Sequence, residues 1–552
     1  MKKVNMPWSP QPERDYVPES PYSVKTTVAS RKSSNSFMDA MEETISSVYD
    51  LTLTENGAVV HKTTGSKLLD MNFAVASLRG KSDAEIYTKF REAFNENPIF
   101  AMRWLFYARD VRQGLGERNL FRVCVKDLAN HNHNLVNALI PLFAEYGRWD
   151  DMFHLIDTKC KVTVLSTIKA QWDKDLAITK ENNDKPISLL AKWIPSEQAT
   201  NKNMKRLAHI ISTYLKLTPR QYRKSLSAMR KKIDVVERKM SSNNWQAIDY
   251  ETVPSLANLR YKNAFLKHDN ERREVFLSAL KKGEAKINSS VAYPHDIAHK
   301  YRTSKFWAEY KKEEDVALEA MWKSLPDMVK DNSSTIVVAD GSGSMTVNVG
   351  NSSVEAIDVA NSLAIYFAER CYGAFKNKYI TFSRTPKIVN LGEGSLLSKL
   401  KIAARHTEVA DTNIEAVFDL ILATAKRKNM KQEEIPERVL IISDMEFNEC
   451  VVANSQNYWN VYPTNTLFDE IKKKYNEAGY KLPHLIFWNV NSRTKGIPVT
   501  ENELGVTLVS GFSINVCKSV MTDKVDPYEA LIEAISDKRY DAIEDTILKT
   551  IG

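Results

Sequence analysis

The sequence predicts a protein of the α plus α/β multidomain class, in which an α-helical solenoid precedes a unit built on an open, mostly parallel sheet. Three observations carry this expectation. At 552 residues the chain exceeds what one hydrophobic core usually organises. Between about residues 37 and 332, amphipathic helical stretches follow one another with few strand signals. Near residue 333 the pattern changes to short β-branched runs alternating with helical stretches.

Hydrophobic content of 43% with charged content of 26% is ordinary for a folded globular protein. No run of about 18 apolar residues occurs, and the N-terminal MKKVNMPWSPQPERDYVPESP has no apolar stretch behind its basic residues. Neither export nor membrane insertion is expected. The cysteines, Cys124, Cys160, Cys371, Cys450 and Cys517, are odd in number, far apart and free of CxxC pairs. That usage fits reduced thiols and a cytoplasmic location, and it implies no zinc site.

Residues 1–36 are rich in Pro, Ser and charge and read as a flexible arm. Residues 37–332 read as the helical solenoid. Ser82-Asp83-Ala84-Glu85 has capping-box spacing, and Asn97-Pro98 offers an N-cap followed by proline at the first helical position. NLVNALIPLFAEY (134–146), DMFHLI (151–156), ISLLAKWI (187–194), MKRLAHIISTYLKL (204–217) and REVFLSALKKG (273–283) supply further apolar faces, separated by short polar joints. Stacked helix pairs of the solenoid kind would bury them.

Residues 333–525 read as the sheet unit. STIVVAD (334–340), KYITFS (378–383), PKIVNL (386–391), RVLIISD (438–444), HLIFWNV (484–490) and GVTLVS (505–510) are strand candidates. VEAIDVANSLAIYFAERC (354–371), NIEAVFDLILATAKRK (413–428) and TLFDEIKKKYNEAG (466–479) are the helices between them. Residues 526–552 read as a C-terminal helical segment that packs on the sheet or returns to the solenoid.

Asp340-Gly341-Ser342-Gly343-Ser344 follows the first of these strands directly. Ligands of open α/β sheets sit at the carboxyl ends of strands. One carboxylate and two hydroxyls on alternate residues are hard oxygen donors suited to Mg²⁺ or Mn²⁺. The motif resembles the metal-ion-dependent adhesion site of von Willebrand factor A domains, whose second and third loops have counterparts in Asp411-Thr412-Asn413 and Ile442-Ser443-Asp444. The resemblance implies that Asp340, Ser342, Ser344, Thr412 and Asp444 hold the ion, and that a carboxylate from a protein partner completes its shell. A hydrolytic site would need a general base beside the ion. Glu446 is two residues past Asp444, but reads as an exposed loop acid.

The net charge of +8 is concentrated. Residues 201–250 hold twelve Lys/Arg against three acids, an excess that accounts for all of it. Such a segment suits a polyanion partner, or else a solvated helix face. The helical half resembles TROVE modules, the RNA-binding rings of the Ro autoantigen class, through FAMRWLFYARDVRQGLGER (100–118), LFAEYGRWDDMFHLI (142–156), VPSLANLRYKNAFLKHD (253–269) and GEAKIN (283–288). The resemblance implies a HEAT-like α-solenoid ring followed by a doubly wound, parallel-sheet von Willebrand factor A domain, with small non-coding or single-stranded RNA on the basic ring. Arg109, Arg112, Arg118, Lys205, Arg206, Arg220, Arg223, Lys224, Arg230, Lys231 and Lys232 are the candidate RNA contacts. Tyr107, Tyr214, Tyr222 and Tyr261 are either stacking platforms or core.

His295 and His299, four apart, lack a third ligand and read as surface or capping histidines. Gly114–Gly116 reads as a helix-ending turn. No nucleotide-binding or nucleophile motif is present, so no enzyme is expected. The expected function is a ribonucleoprotein component whose metal site recruits a protein partner. The rivals are a protein-interaction scaffold without RNA, and a metal-dependent nuclease or chelatase-associated factor.

Overall fold

A hairpin, not a helix, opens the described part of the chain: β1 (Leu51–Leu53) and β2 (Val59–His61) pair antiparallel around Asn56-Gly57. Gly57 takes φ +90°, which its missing Cβ permits. The computed structural model describes residues 51–181, 185–233, 235–289, 291–304, 309–329, 334–350, 352–382, 385–407, 413–447, 466–492, 496–516 and 526–551. The expected arm at 1–36 and a helical start at Phe37 lie outside them. At 51–61 the solenoid expectation gives way to strands, because alternating Leu51, Leu53, Val59 and His61 flank an Asn-Gly turn.

Helices then follow one another from Lys67–Phe73 to Val316–Lys323, many of them packed on helices near them in sequence. The starts read from sequence are present. The Ser82 hydroxyl accepts from the Glu85 N–H while the Glu85 carboxylate accepts from the Ser82 N–H, and Asn97 caps the helix Pro98–Arg109. That helix ends in the expected turn. The Leu115 and Glu117 amides return to the carbonyls of Tyr107 and Ala108, and a Cβ on Gly114 would meet the Tyr107 carbonyl oxygen at 1.9 Å.

The C-terminal part holds a six-stranded sheet in the order β5-β4-β3-β6-β7-β8, comprising β3 (Thr335–Asp340), β4 (Lys378–Phe382), β5 (Ile388–Asn390), β6 (Arg438–Ser443), β7 (His484–Asn489) and β8 (Val506–Ser510). All neighbours run parallel except the edge strand β5. All six strand candidates are strands. Helices cover both faces. Phe487 meets Phe468 of helix Leu467–Glu477, while the next residue, Trp488, meets Phe367 of helix Ala356–Arg370. Successive strand residues point to opposite faces. Burial on both sides is why every residue of β3 is buried and the strand reads as a continuous apolar run.

The helical part grips the sheet unit at both ends. At its start, Asn489 donates to the Phe73 carbonyl at 2.8 Å, and Ser510 accepts from the Ala76 amide at 3.0 Å. At its end, Arg302 pairs with Glu355 and Asp358 at 2.7 and 2.8 Å, and Glu319 accepts the amides of Leu396 and Leu397 that open helix Leu396–Arg405. The two ends also touch each other, since the Tyr293 hydroxyl donates to the Leu115 carbonyl. Helices Pro527–Ile535 and Asp541–Ile551 return to the helical part. Arg103 binds the Ile535 carbonyl and Asp541, Arg539 binds Asp110, and Tyr540 stacks on Tyr146. Buried apolar side chains from both parts form one continuous cluster.

His295 departs from its surface reading. It is buried in this joint, stacked on Tyr293 and edge-on to Phe512, while His299 bonds Asp358 at 3.0 Å. Cys124, Cys160 and Cys371 are buried and unlinked, and Cys450 and Cys517 lie outside the described residues. No described helix is long and apolar enough to cross a membrane.

The joint can be probed in two ways. Arg302→Ala strands two buried carboxylates and should lower unfolding free energy by about 3 kcal/mol in denaturant titration. Burial depresses His295 to about 4 from 6.5, against the smaller upward pull of Asp296; Asp358 also raises it, whereas Arg79 and His299 lower it further. Between those pH values the unfolded chain carries a proton that the folded chain lacks, so stability should fall as pH drops from 6.5 toward 4. The loss should reach roughly 3 kcal/mol, because each pH unit across that window is worth about 1.36 kcal/mol. His295→Phe should flatten that slope in pH-dependent melting.

Candidate metal centre

The central strands β3 and β6 place the expected acids side by side. Their parallel register pairs Ala339 with Ile442, so the chain leaves the two strands at Asp340 and Ser443-Asp444. The order of strands reverses between these neighbours, which is the topological switch point where ligands of such sheets bind.

Asp340 is fully buried, and its carboxylate accepts the Ser342 amide at 2.9 Å and the Ser443 hydroxyl at 2.6 Å. The hydroxyls of Ser342 and Ser344 lie 2.8 Å apart. Asp444 is fully buried as well, and accepts from the Ser344 hydroxyl and the Glu446 amide. Burial raises the Asp340 carboxyl above its ordinary range. Burial and then the facing Asp340 charge raise Asp444 in the same direction. Four of the five expected ligands therefore converge, and Thr412 lies outside the described residues.

This donor set fits a small hard cation. Two adjacent carboxylates, buried against each other, would be stabilised by a divalent ion, whose charge neither hydroxyls nor amides supply. No group of three or more His, Cys, Asp or Glu converges as a metal cluster among the described residues. The expected shell does not need one, because it draws two acids and fills the rest with hydroxyls and water.

Glu446 is not the exposed acid expected. It is fully buried, and its carboxylate accepts the Glu55 amide at 3.0 Å while its carbonyl accepts the Asn56 side chain at 2.6 Å. Thr54 adds a bond to the Phe447 carbonyl at 2.5 Å. The β1–β2 hairpin thus braces the loop that carries Asp444. Between them, Met445 is held at φ +64°, a left-handed conformation that costs a non-glycine residue about 1–2 kcal/mol. Sequence reasoning missed both this brace and Ser443; the Asn56-Gly57 dipeptide between alternating apolar residues was the available signal for the hairpin.

Residues 334–547 match a domain of unknown function, DUF7788. A second domain of unknown function, DUF2828, matches residues 54–164 and 197–335. The two matches meet just before β3, where the sequence pattern changes. A viral relative, "Uncharacterized protein L728" of Acanthamoeba polyphaga mimivirus, is 29% identical over 524 residues, which is 88% of this chain and 87% of the relative.

The DUF7788-like region contains the loops at Asp340 and Asp444, and the DUF2828-like region contains all the cations expected to meet RNA. They divide into two sets. Arg109, expected at the RNA surface, is instead buried and paired to Asp151 at 2.7 Å, out of reach of a phosphate. Arg230 is committed to the carbonyls of Ala191 and Ile194 at 2.8 and 2.7 Å, Lys232 reaches the Ile178 carbonyl, and Arg206 pairs with Asp157. Arg112 reaches Glu145 at 3.6 Å from an exposed position. Among the described residues, Lys205, Arg220, Arg223, Lys224 and Lys231 are exposed and their side chains have no partner. Arg118 is exposed beside Arg148, Arg122 and Arg109; burial of part of its guanidinium and then those three charges lower its pKa. Tyr107 and Tyr222 are core, Tyr222 stacking on Trp172 at 5.2 Å, and Tyr214 and Tyr261 pack partly buried against that core.

Mg²⁺ should raise the melting temperature of the protein in differential scanning calorimetry, with about 2.7 kcal/mol of stabilisation at a hundredfold excess over the dissociation constant. Asp340→Ala and Asp444→Ala should each abolish that increment. An unchanged increment in both variants would place the ion elsewhere.

Proposed function

We propose that this protein is a non-enzymatic, RNA-binding component of a cytoplasmic ribonucleoprotein, which holds small non-coding or loose-ended RNA on its helical part and recruits a protein partner through a divalent cation. In this reading the helices are HEAT-like pairs of a TROVE-type ring. The sheet unit is a von Willebrand factor A domain that holds Mg²⁺ or Mn²⁺ on Asp340, Ser342, Ser344, Thr412 and Asp444. One observation carries the RNA reading. Lys205, Arg220, Arg223, Lys224 and Lys231 stand exposed and unpaired, among the described residues, on the consecutive helices Lys202–Tyr214 and Pro219–Lys232. Concentrated positive charge with few local acids favours a polyanion, and each phosphate it neutralises releases counterions.

The ion supplies a Lewis-acidic position that a partner carboxylate can occupy. Asp340 and Asp444 hold it, Ser443 orients Asp340, and the hairpin keeps the Asp444 loop in place. Among the described residues, the nearby Glu446 carboxylate accepts the Glu55 amide, which favours a bracing role for it over that of a general base.

Fluorescence anisotropy with single-stranded RNA at several salt concentrations tests this. Log affinity should fall with log salt at a slope near −0.7 per phosphate contacted. Replacing Lys205, Arg220, Arg223 and Lys224 together by Gln should shallow that slope by about 3 and leave the melting temperature within a degree or two, because these side chains support no packing. Indifference to RNA at low salt would leave the scaffold reading in its place.

A further inference from the structure

We propose that a basic cavity between helix Pro219–Lys232 and the segment before helix Lys202–Tyr214 is a seat for a terminal phosphate monoester of an RNA strand, an inference that rests on the RNA-binding reading. The cavity measures about 390 Å³ and is lined by Arg223, Arg230, Lys231 and Arg238 with the hydroxyl residues Ser196 and Ser227. That volume lies within the range of about 300–1,000 Å³ typical of small-ligand pockets.

The charge in it is built, not scattered. Arg223, Ser227, Arg230 and Lys231 fall on one face of their helix by the i, i+4, i+7, i+8 rule. Arg230 is anchored by two backbone carbonyls, and Arg238, from helix Val236–Ser241, is tied to the Lys231 carbonyl at 2.7 Å. Two guanidiniums are therefore positioned before any ligand arrives, which lowers the entropy of binding an anion. Two described acids nearby, Glu197 and Glu237, are engaged elsewhere. Glu197 accepts the Ser212 hydroxyl at 2.5 Å, and Glu237 reaches Lys192 at 3.8 Å. No acid is among the described lining residues.

The same lining lacks an aromatic ring, so a base would find nothing to stack on. Four cations, hydroxyl donors and no stacking surface select for anionic oxygen, and for the most highly charged form of it. A phosphodiester carries one negative charge, whereas a terminal monoester carries about 1.5 to 2 at pH 7 and presents three acceptor oxygens to forked guanidinium donors. An RNA end bearing phosphate is the ligand that uses all of these features.

The test uses the full chain and three ten-residue oligouridylates, one with a 5′-phosphate, one with a 3′-phosphate and one with hydroxyls at both ends, compared by anisotropy. One phosphorylated form should bind about tenfold tighter than the dihydroxyl form, and which one identifies the end. Arg223→Gln with Arg238→Gln, both exposed, should erase that preference with the melting temperature unchanged. Lys205→Gln with Arg220→Gln, outside the cavity, should weaken all three oligonucleotides alike and preserve the ratio. Equal binding of the three by the unaltered protein, or equal weakening of all three by the cavity variant, overturns the end-recognition inference and leaves RNA binding standing. Failure to bind any of them overturns both.

Discussion

The parallel pairing of β3 with β6 is the constraint on which the rest of the molecule depends. Its register brings two carboxylates, Asp340 and Asp444, to one point at the carboxyl edge of the sheet and buries both. Two like charges in a low-dielectric setting are unfavourable, and the protein answers with hydroxyls from Ser342, Ser344 and Ser443 and with backbone amides. Those donors orient the acids without neutralising them. The donor set at this switch point is one that a divalent cation would complete.

The cations of the helical part have the opposite distribution. Arg79, Arg91, Arg103, Arg109, Arg122 and Arg302 are drawn inward and matched by acids, joining helices to one another or to the sheet unit. Arg273 is buried among the rings of Tyr250, Phe265 and Phe276, where ring faces take the place of a counter-ion. The positive charges between residues 202 and 232 are treated differently. Among the described contacts, Arg230 and Lys232 meet carbonyls, Arg206 meets an acid, and the rest face solvent. Position, not residue type, separates an arginine that builds the fold from one available to a ligand.

Much of this is legible in the chain itself. The six strands and the helices between them follow from runs of β-branched residues alternating with amphipathic stretches, and the caps at Ser82 and Asn97 follow from short side-chain patterns. The loops at Asp340 and Asp444 are legible because their oxygens are close in sequence to strand ends. What escapes a linear reading is contact between distant segments. Arg109 lies in a run of cations and aromatics that suits a polyanion, and only the fold reveals Asp151 beside it. Glu446 is a polar residue after a strand, which in isolation means a solvated loop; its burial is imposed by a hairpin almost four hundred residues away in sequence. His295 escapes for the same reason, since Phe512 comes from beyond β8. The hairpin itself is signalled by Asn56-Gly57, outweighed by the helical periodicity that follows it.

That hairpin carries a consequence for how the gene can be divided. The sequence similarities part near residue 334, yet residues 54–56 belong physically to the loop at 444–447, and the last two helices belong to the first half of the chain. A fragment cut at that seam would leave an acid with no brace on one side and an open groove on the other. Each half therefore carries residues that complete the other.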